Sequence, residues 1–306
     1  MMLVNPRVDI AFKKIFGVEE NKDILMSLLN AIVTEEDQMD DIELLNPYNE
    51  RNFKGDKLSI LDVKARNKHT KTYFLVEMQI ADEMQYHKRS LYSWARMYAN
   101  QLGTGQHYNE LRKTIAVHIL NFTFIDYEKQ KGWVVADANK YHHRFLLTDV
   151  DTRLHIHTDI EIHTLELNKF AGAKAEDLDS MMVAVKSMLD VWLAVLTHHE
   201  LLTLDTLPKV LDTPEVRKAL NVMETVNFTP IEREMYDAHL DFWRMEYEAF
   251  RTHFIKEREE GRVEGRVEER KKIARSLLLD GVSAESVAKN THLSLEEVLK
   301  IKASLV

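Results

Sequence analysis

The stretch KLSILDVKARNKHTKTYFLVEMQI, from Lys57 to Ile80, sets a carboxylate in the middle of each of two apolar runs, Asp62 in the first and Glu77 in the second. Both runs read as strands, roughly 57–65 and 72–80, paired antiparallel through a polar loop around Asn67–Lys71. Side chains alternate along a strand. Ile60, Asp62 and Lys64 therefore share one face, opposite Leu61, Val63 and Ala65. In the second run Tyr73, Leu75, Glu77 and Gln79 share a face, opposite Phe74, Val76, Met78 and Ile80. Pairing the strands lets Asp62 and Glu77 converge on one side. Two bare carboxylates that close repel, and one would take up a proton. A divalent cation relieves the conflict, and Mg²⁺ takes one or two carboxylates together with waters and substrate phosphate. The plainer alternative is a solvated edge residue, or an ion pair with Lys64 or Arg66.

The flanking elements are readable from hydrophobic periodicity. Val8, Ala11, Phe12, Ile15 and Phe16 share a helical face that ends at Gly17. NKDILMSLLNAIV (21–33) is a second amphipathic helix, and EMQYHKRSLYSWARMYANQL (83–102) a third, with Leu91, Trp94, Ala95, Tyr98 and Leu102 expected on its buried side. KTIAVHILNFTFI has the β-branched, apolar character of a central strand, and HHRFLLTDV and DIEIHTLELNKF read as two more. From Ala175 onward the chain reads as helical. EDLDSMMVAVKSMLDVWLAVLTHHELL is expected as one helix. Thr213 and Pro214 begin another, and a long charged run from Pro230 contains the local repeat EEGRVEGRVEER, whose glycines weaken a helix. Ser283 and Ser294 are placed to cap two short helices at the end. Residues 1–172 are thus expected as a core, 173–260 as a helical extension, and 261–306 as a charged connector with a small helix-turn-helix-like tail.

Composition closes off several classes. The net charge of −9 disfavours coating DNA by bulk electrostatics but leaves room for a local basic groove. The absence of cysteine excludes disulfides, thiolate zinc and a cysteine nucleophile. The 14 histidines, including HIH at 155–157 on an expected strand, lack zinc-ligand spacing. There is no G-x-S-x-G and no glycine-rich phosphate loop. The opening segment has no signal-peptide core, and the longest apolar stretch, MLDVWLAVL, is too short to span a bilayer. The expectation is a soluble, cytoplasmic protein.

The order helix, strand with Asp, strand with Glu-x-Gln, helix, strand resembles the PD-(D/E)XK nuclease core. More closely, VDIAFKKIFG, ILDVKARN, FLVEMQI, YHKRSLYSWARMYANQL, EIHTLELNKF and the charged Gly-Arg-Glu tail resemble the recombination-promoting nuclease (Rpn) family, also described as PD-(D/E)XK transposases. The resemblance implies an α/β (α+β) fold: a restriction-endonuclease-like core of a mixed sheet flanked by helices, followed by a helical C-terminal region. It implies a metal-dependent DNA endonuclease of low sequence specificity, linked to recombination, mobile elements or phage defence. Asp62 and Glu77 take the places of the metal-binding acids, Gln79 stands where many relatives have lysine, and Asp9 matches an acidic residue that often completes the site. Asp9 equally suits a helix N-terminus as a first-turn carboxylate.

The metal expected is Mg²⁺, with Mn²⁺ or Ca²⁺ as alternatives, held by Asp62 and Glu77 with the Met78 carbonyl. Gln79 could orient water but cannot serve as a cationic group, and Lys64, on the Asp62 face, is a candidate for the missing positive charge. For DNA, the candidate cations are Lys13, Lys14, Arg66, Lys88 and Arg89, with Lys68, His69, Lys71, His87, Arg96 and the aromatic Tyr92 nearby in sequence. Each cluster also reads as a solvated face. Glu296 and Glu297 near the start of the last helix favour a packing or protein-interaction role for the tail over DNA reading. Self-association through the C-terminal helices is a further expectation. The competing reading is a catalytically silent DNA-binding or oligomerising protein that keeps the nuclease fold.

Overall fold

The computed structural model describes residues 3–48, 62–80, 85–125 and 139–305, and of residues 226, 246, 247 and 249–264 the backbone alone. Its centre is one mixed sheet of six strands: β1 (Ile42–Leu44), β2 (Asp62–Asn67), β3 (Tyr73–Gln79), β4 (Thr114–Leu120), β5 (His142–Leu146) and β6 (Ile160–Glu166), in the order β1-β2-β3-β4-β6-β5. The strands β3, β4 and β6 run parallel, and β1, β2 and β5 are antiparallel to their neighbours. Residues 57–61 of the expected first strand, Ile60 and Leu61 included, lie outside the described residues. The three-residue strand β1 was not expected; it is short, and it pairs with β2 at the sheet edge.

Every residue of β4, and all but the first of β3, is buried, as a strand covered on both faces requires. Helix α1 (Asp9–Phe16), α2 (Lys22–Ile32), α5 (Met188–His198) and α6 (Pro214–Met223) pack together around Phe12, Phe16 and Trp192. The end of α1 lies close to β2: a Cβ at Gly17 would meet the Lys13 carbonyl oxygen at 2.9 Å and a Val63 methyl at 3.4 Å.

The opposite face is covered by α3 (Tyr86–Ala99), where Leu75, Met97 and Ala116 form a small core with Tyr73, Trp94 and Ile162. Here the buried side differs from the periodicity reading. Leu91 and Ala95 are exposed, while Tyr86, Ser90 and Met97 are buried. Polar anchors set the rotation: Trp94 Nε1 donates to the Thr114 carbonyl at 2.8 Å, Tyr98 OH donates to Asp159 at 2.7 Å, and Tyr86 OH lies 2.9 Å from His118 Nδ1. Hydrophobic spacing weighs Leu91 heavily and tyrosine hydroxyls not at all.

The expected single helix over 176–202 is two: α4 (Leu178–Ala184) and α5. Ser187 ends the first path by capping the second, its hydroxyl accepting from Asp190 N at 3.1 Å. Buried Asp190 is fixed from outside by Tyr141 OH at 2.6 Å and accepts from Lys186 N at 3.0 Å. Residues 155–157 lie in the β5–β6 connection, not on a strand.

By internal contacts the chain divides into Met1–Asp241 and Phe242–Val306. Helix α7 (Pro230–Leu279) supplies residues to both and runs unbroken through Gly261 and Gly265. The second unit continues into α8 (Ala284–Thr291) and α9 (Leu295–Ala303), capped by Ser283 and Ser294, around a core of Ala274, Ala284, Val287, Leu293, Val298 and Ile301. Among the described residues no helix is long and apolar enough to cross a membrane.

Candidate active site

Asp62 and Glu77 are direct partners in the β2–β3 ladder. Both are buried, with exposures of 6% and 3%. Directly opposed side chains on neighbouring strands have Cβ atoms about 4.5–5.5 Å apart, so the two carboxylates share one small volume. It lies where β3 and β4 end, the carboxyl edge at which open α/β sheets bind ligands. The same register line continues to His118 on β4, Thr164 on β6 and His143 on β5, a polar row across five strands of one face.

Each carboxylate has a cationic or imidazole partner. Lys64 Nζ is 2.9 Å from Asp62 Oδ2, and His118 Nδ1 is 3.3 Å from Glu77 Oε2. Burial pushes the Glu77 carboxyl upward. The His118 hydrogen bond, followed by a hydrogen bond from Ser93 and the charge of Arg89, outweighs burial and holds it below its ordinary value. Ser93 and Arg89 both come from α3, so the rotation that hides Tyr86 also turns a polar stripe onto Glu77. A buried carboxylate alone does not make such a site. Glu161, on the other face, is enclosed by Arg144 at 2.8 and 2.9 Å, His163 at 2.7 Å and Lys113 at 2.9 Å, a fully met structural ion cluster.

Gln79 closes β3 on the Glu77 face, and its carbonyl accepts from Asn121 N at 2.9 Å. Met78 buries its side chain toward the opposite face, and its carbonyl follows Glu77 directly in the chain. Asp9 sits elsewhere in its contacts: His239 Nε2 is 3.5 Å from Oδ2, and Oδ1 has no hydrogen-bond partner. Among the described residues no hydrogen bond or ion pair joins Asp9 to the strand pair, and no group of three or more His, Asp or Glu side chains gathers as a metal cage. The donor set is therefore two hard carboxylates. That suits a cation which completes its shell with backbone carbonyl, water and substrate oxygen.

The proposed DNA-contacting cations are in varied settings. Lys13 is buried, and Lys14 pairs with Glu232 and donates to the Asn227 carbonyl at 2.8 Å. Arg66 pairs with Glu43 at 2.7 Å, and Lys68 with Asp41 at 2.9 Å. Lys88 and Arg96 are exposed on α3, beside Tyr92 at 65% exposure. His118, Tyr86 and Ser93 are the contributors that sequence reasoning missed. For His118 a signal existed: TIAVHIL carries one ionisable residue inside an apolar strand, the same mark that singled out Asp62 and Glu77.

A mixed sheet with two opposed acids at its carboxyl edge, helices on both faces and Glu-x-Gln on the central hairpin is the architecture of a nuclease-like αβ core. The family model described as PD-(D/E)XK nuclease family transposase matches residues 6–250, and the chain belongs to that family. Nucleases of this kind generally use divalent metal ions. No curated protein and no solved structure matches the chain.

Asp9 generates a pH prediction. Burial raises its carboxyl from 3.8 to about 7, against the lowering influence of Lys13. Between those values the folded chain holds a proton that the unfolded chain has released, so stability falls as pH rises through the interval. Asp9→Asn removes that part of the slope. Chemical denaturation at a series of pH values should show the variant gaining on the wild type by up to a few kcal/mol between about pH 4 and about pH 7. Parallel pH profiles for the two proteins would refute it.

Proposed function

We propose that this chain is a metal-dependent DNA endonuclease that hydrolyses phosphodiester bonds with low sequence specificity. The observation that carries the reading is the direct register of Asp62 with Glu77 at the carboxyl edge of the sheet, in a chain of a nuclease family. Asp62 and Glu77 would hold the ion, with the Met78 carbonyl as a third oxygen. Mg²⁺ is the ion proposed, with Mn²⁺ or Ca²⁺ as alternatives. When bound, such an ion activates water and neutralises charge on the phosphate.

The chain's own residues do the rest. Gln79, two residues beyond Glu77 on the same face, can hold a water by its amide but cannot bring charge. Lys64, 2.9 Å from Asp62, supplies the positive charge that a motif lysine would otherwise give. Asp9 stands outside this minimal set, as an auxiliary acid. Lys88, Arg89 and Arg96 on α3 are the cations we assign to the DNA backbone, and contacts to phosphate rather than base edges carry little sequence information. Lys13, Lys14 and Arg66 would reach DNA only after leaving their present partners or cover. The proposed setting is cytoplasmic DNA recombination, mobile elements or phage defence, with self-association through the C-terminal helices.

One observation favours a second reading. Asp62 is already satisfied by Lys64, and Gln79 replaces the motif lysine, as in a fold kept for binding after its chemistry was lost. Nicking of supercoiled plasmid in Mg²⁺ separates the two. Asp62→Ala and Glu77→Ala should each cost more than the roughly 10–100-fold typical of outer-shell partners, and EDTA should abolish cleavage. Lys64→Ala should slow cleavage about tenfold or more while the circular dichroism spectrum is unchanged; full cleavage by that variant removes Lys64 from the mechanism. A wild type that binds DNA and never nicks it establishes the silent form.

A further inference from the structure

His118 is completely buried in the middle of β4, and the apolar strand around it offers no reason for an imidazole. Its neighbours give one. Nδ1 lies 3.3 Å from Glu77 Oε2 and 2.9 Å from Tyr86 OH. Nε2 is buried and has no hydrogen-bond partner among the described residues. These contacts favour a proton on Nδ1. A bare Nδ1 would accept from Tyr86 OH but turn its lone pair toward a carboxylate oxygen as well, and would leave a buried unsatisfied N–H on Nε2. A proton on Nδ1 serves Glu77 and leaves only a lone pair unmet. The ring itself is held: Tyr86 stands edge-on to it at 5.7 Å and 88°, and edge-on in turn to Phe122 and Phe124 at 5.7 and 5.9 Å. Helix α3 fixes Tyr86, the Tyr86 ring fixes the imidazole, and the imidazole fixes one oxygen of Glu77.

We propose that His118 is a positioning residue, holding Oε2 of Glu77 so that the carboxylate is preset as a ligand for the divalent ion beside Asp62. This rests on the metal reading given above and deepens it. Carboxylate ligands of metals are themselves hydrogen-bonded by an outer shell, whose loss costs roughly 10–100-fold in metal affinity. The Glu77 side chain has several rotatable bonds, and without its partner it must be ordered at the moment the ion binds.

The test is Mn²⁺ binding by calorimetry to the full chain, with thermal melting beside it, for wild type, Glu77→Ala, and three substitutions of His118. His118→Leu keeps bulk and loses the donor. His118→Asn places an amide nitrogen near the position of Nδ1, and His118→Gln places it near Nε2 instead. We expect Leu and Gln to weaken Mn²⁺ binding about tenfold or more and Asn to stay within about threefold of wild type. In nicking assays Leu and Gln should shift the Mn²⁺ concentration for half-maximal rate more than the rate at saturation. If the Leu variant does not fold, the Asn and Gln pair decides. Equal Mn²⁺ affinity in the Asn and Gln variants overturns the proposal while leaving the metal site intact. A wild type whose Mn²⁺ binding is absent, or is unchanged by Glu77→Ala, overturns the metal reading and this inference together.

Discussion

Two carboxylates directly opposite one another on antiparallel strands, both under cover of protein, are an unfavourable arrangement that the rest of the first unit is organised around. Like charges in that position destabilise a strand pair, and burial adds a desolvation cost to each. The chain offsets part of this with Lys64 on Asp62, and with His118, Ser93 and Arg89 on Glu77. Glu161 differs in having Ile115 and Leu146 opposite it rather than a second acid, with Lys113, Arg144 and His163 around it. What the fold leaves at the strand pair is concentrated negative charge that a cation can meet.

Helix α3 makes that arrangement hold. It packs Met97 and Trp94 on Leu75 and Ala116, and its first two turns bring Tyr86, Arg89 and Ser93 to the polar row. Packing and chemistry are therefore set by one helix rotation. A shift of that helix would move Tyr86 away from His118 and Ser93 and Arg89 away from Glu77. Its outer face carries Lys88, Tyr92 and Arg96, so one element both supports the acids and presents cations near them.

Much of this was legible in the sequence because strand alternation is a strict rule. Alternation puts Asp62 with Lys64 and Glu77 with Gln79, pairing the runs lets the two sets share a face, and the observed register sets Asp62 opposite Glu77. Thr213, Ser283 and Ser294 were legible for a similar reason: capping is local chemistry. The misses are the features decided by distant partners. The break at Ser187 is made by a local cap that helical periodicity runs through, and Tyr141, 49 residues away, adds a bond to its Asp190. The buried side of α3 is chosen by Thr114, His118 and Asp159. His118 stands out in TIAVHIL, but its partner Glu77 became visible only when β4 was placed against β3, since nothing in that strand says which strand lies beside it. Lys13 and Lys14 read as a basic pair beside Asp9, but burial of one and the Glu232 partner of the other come from α1 packing and from α7.

The most direct measurement is a crystal of the chain soaked in Mn²⁺, with anomalous scattering used to locate the ion. The expected result is one Mn²⁺ peak within roughly 2.0–2.3 Å of an oxygen of Asp62 and an oxygen of Glu77, with Glu77 Oε2 still against His118. An ion bound elsewhere, or a strand pair that keeps Lys64 on Asp62 and takes up no Mn²⁺ at saturating concentration, would contradict the claim that these two carboxylates are paired to hold a metal.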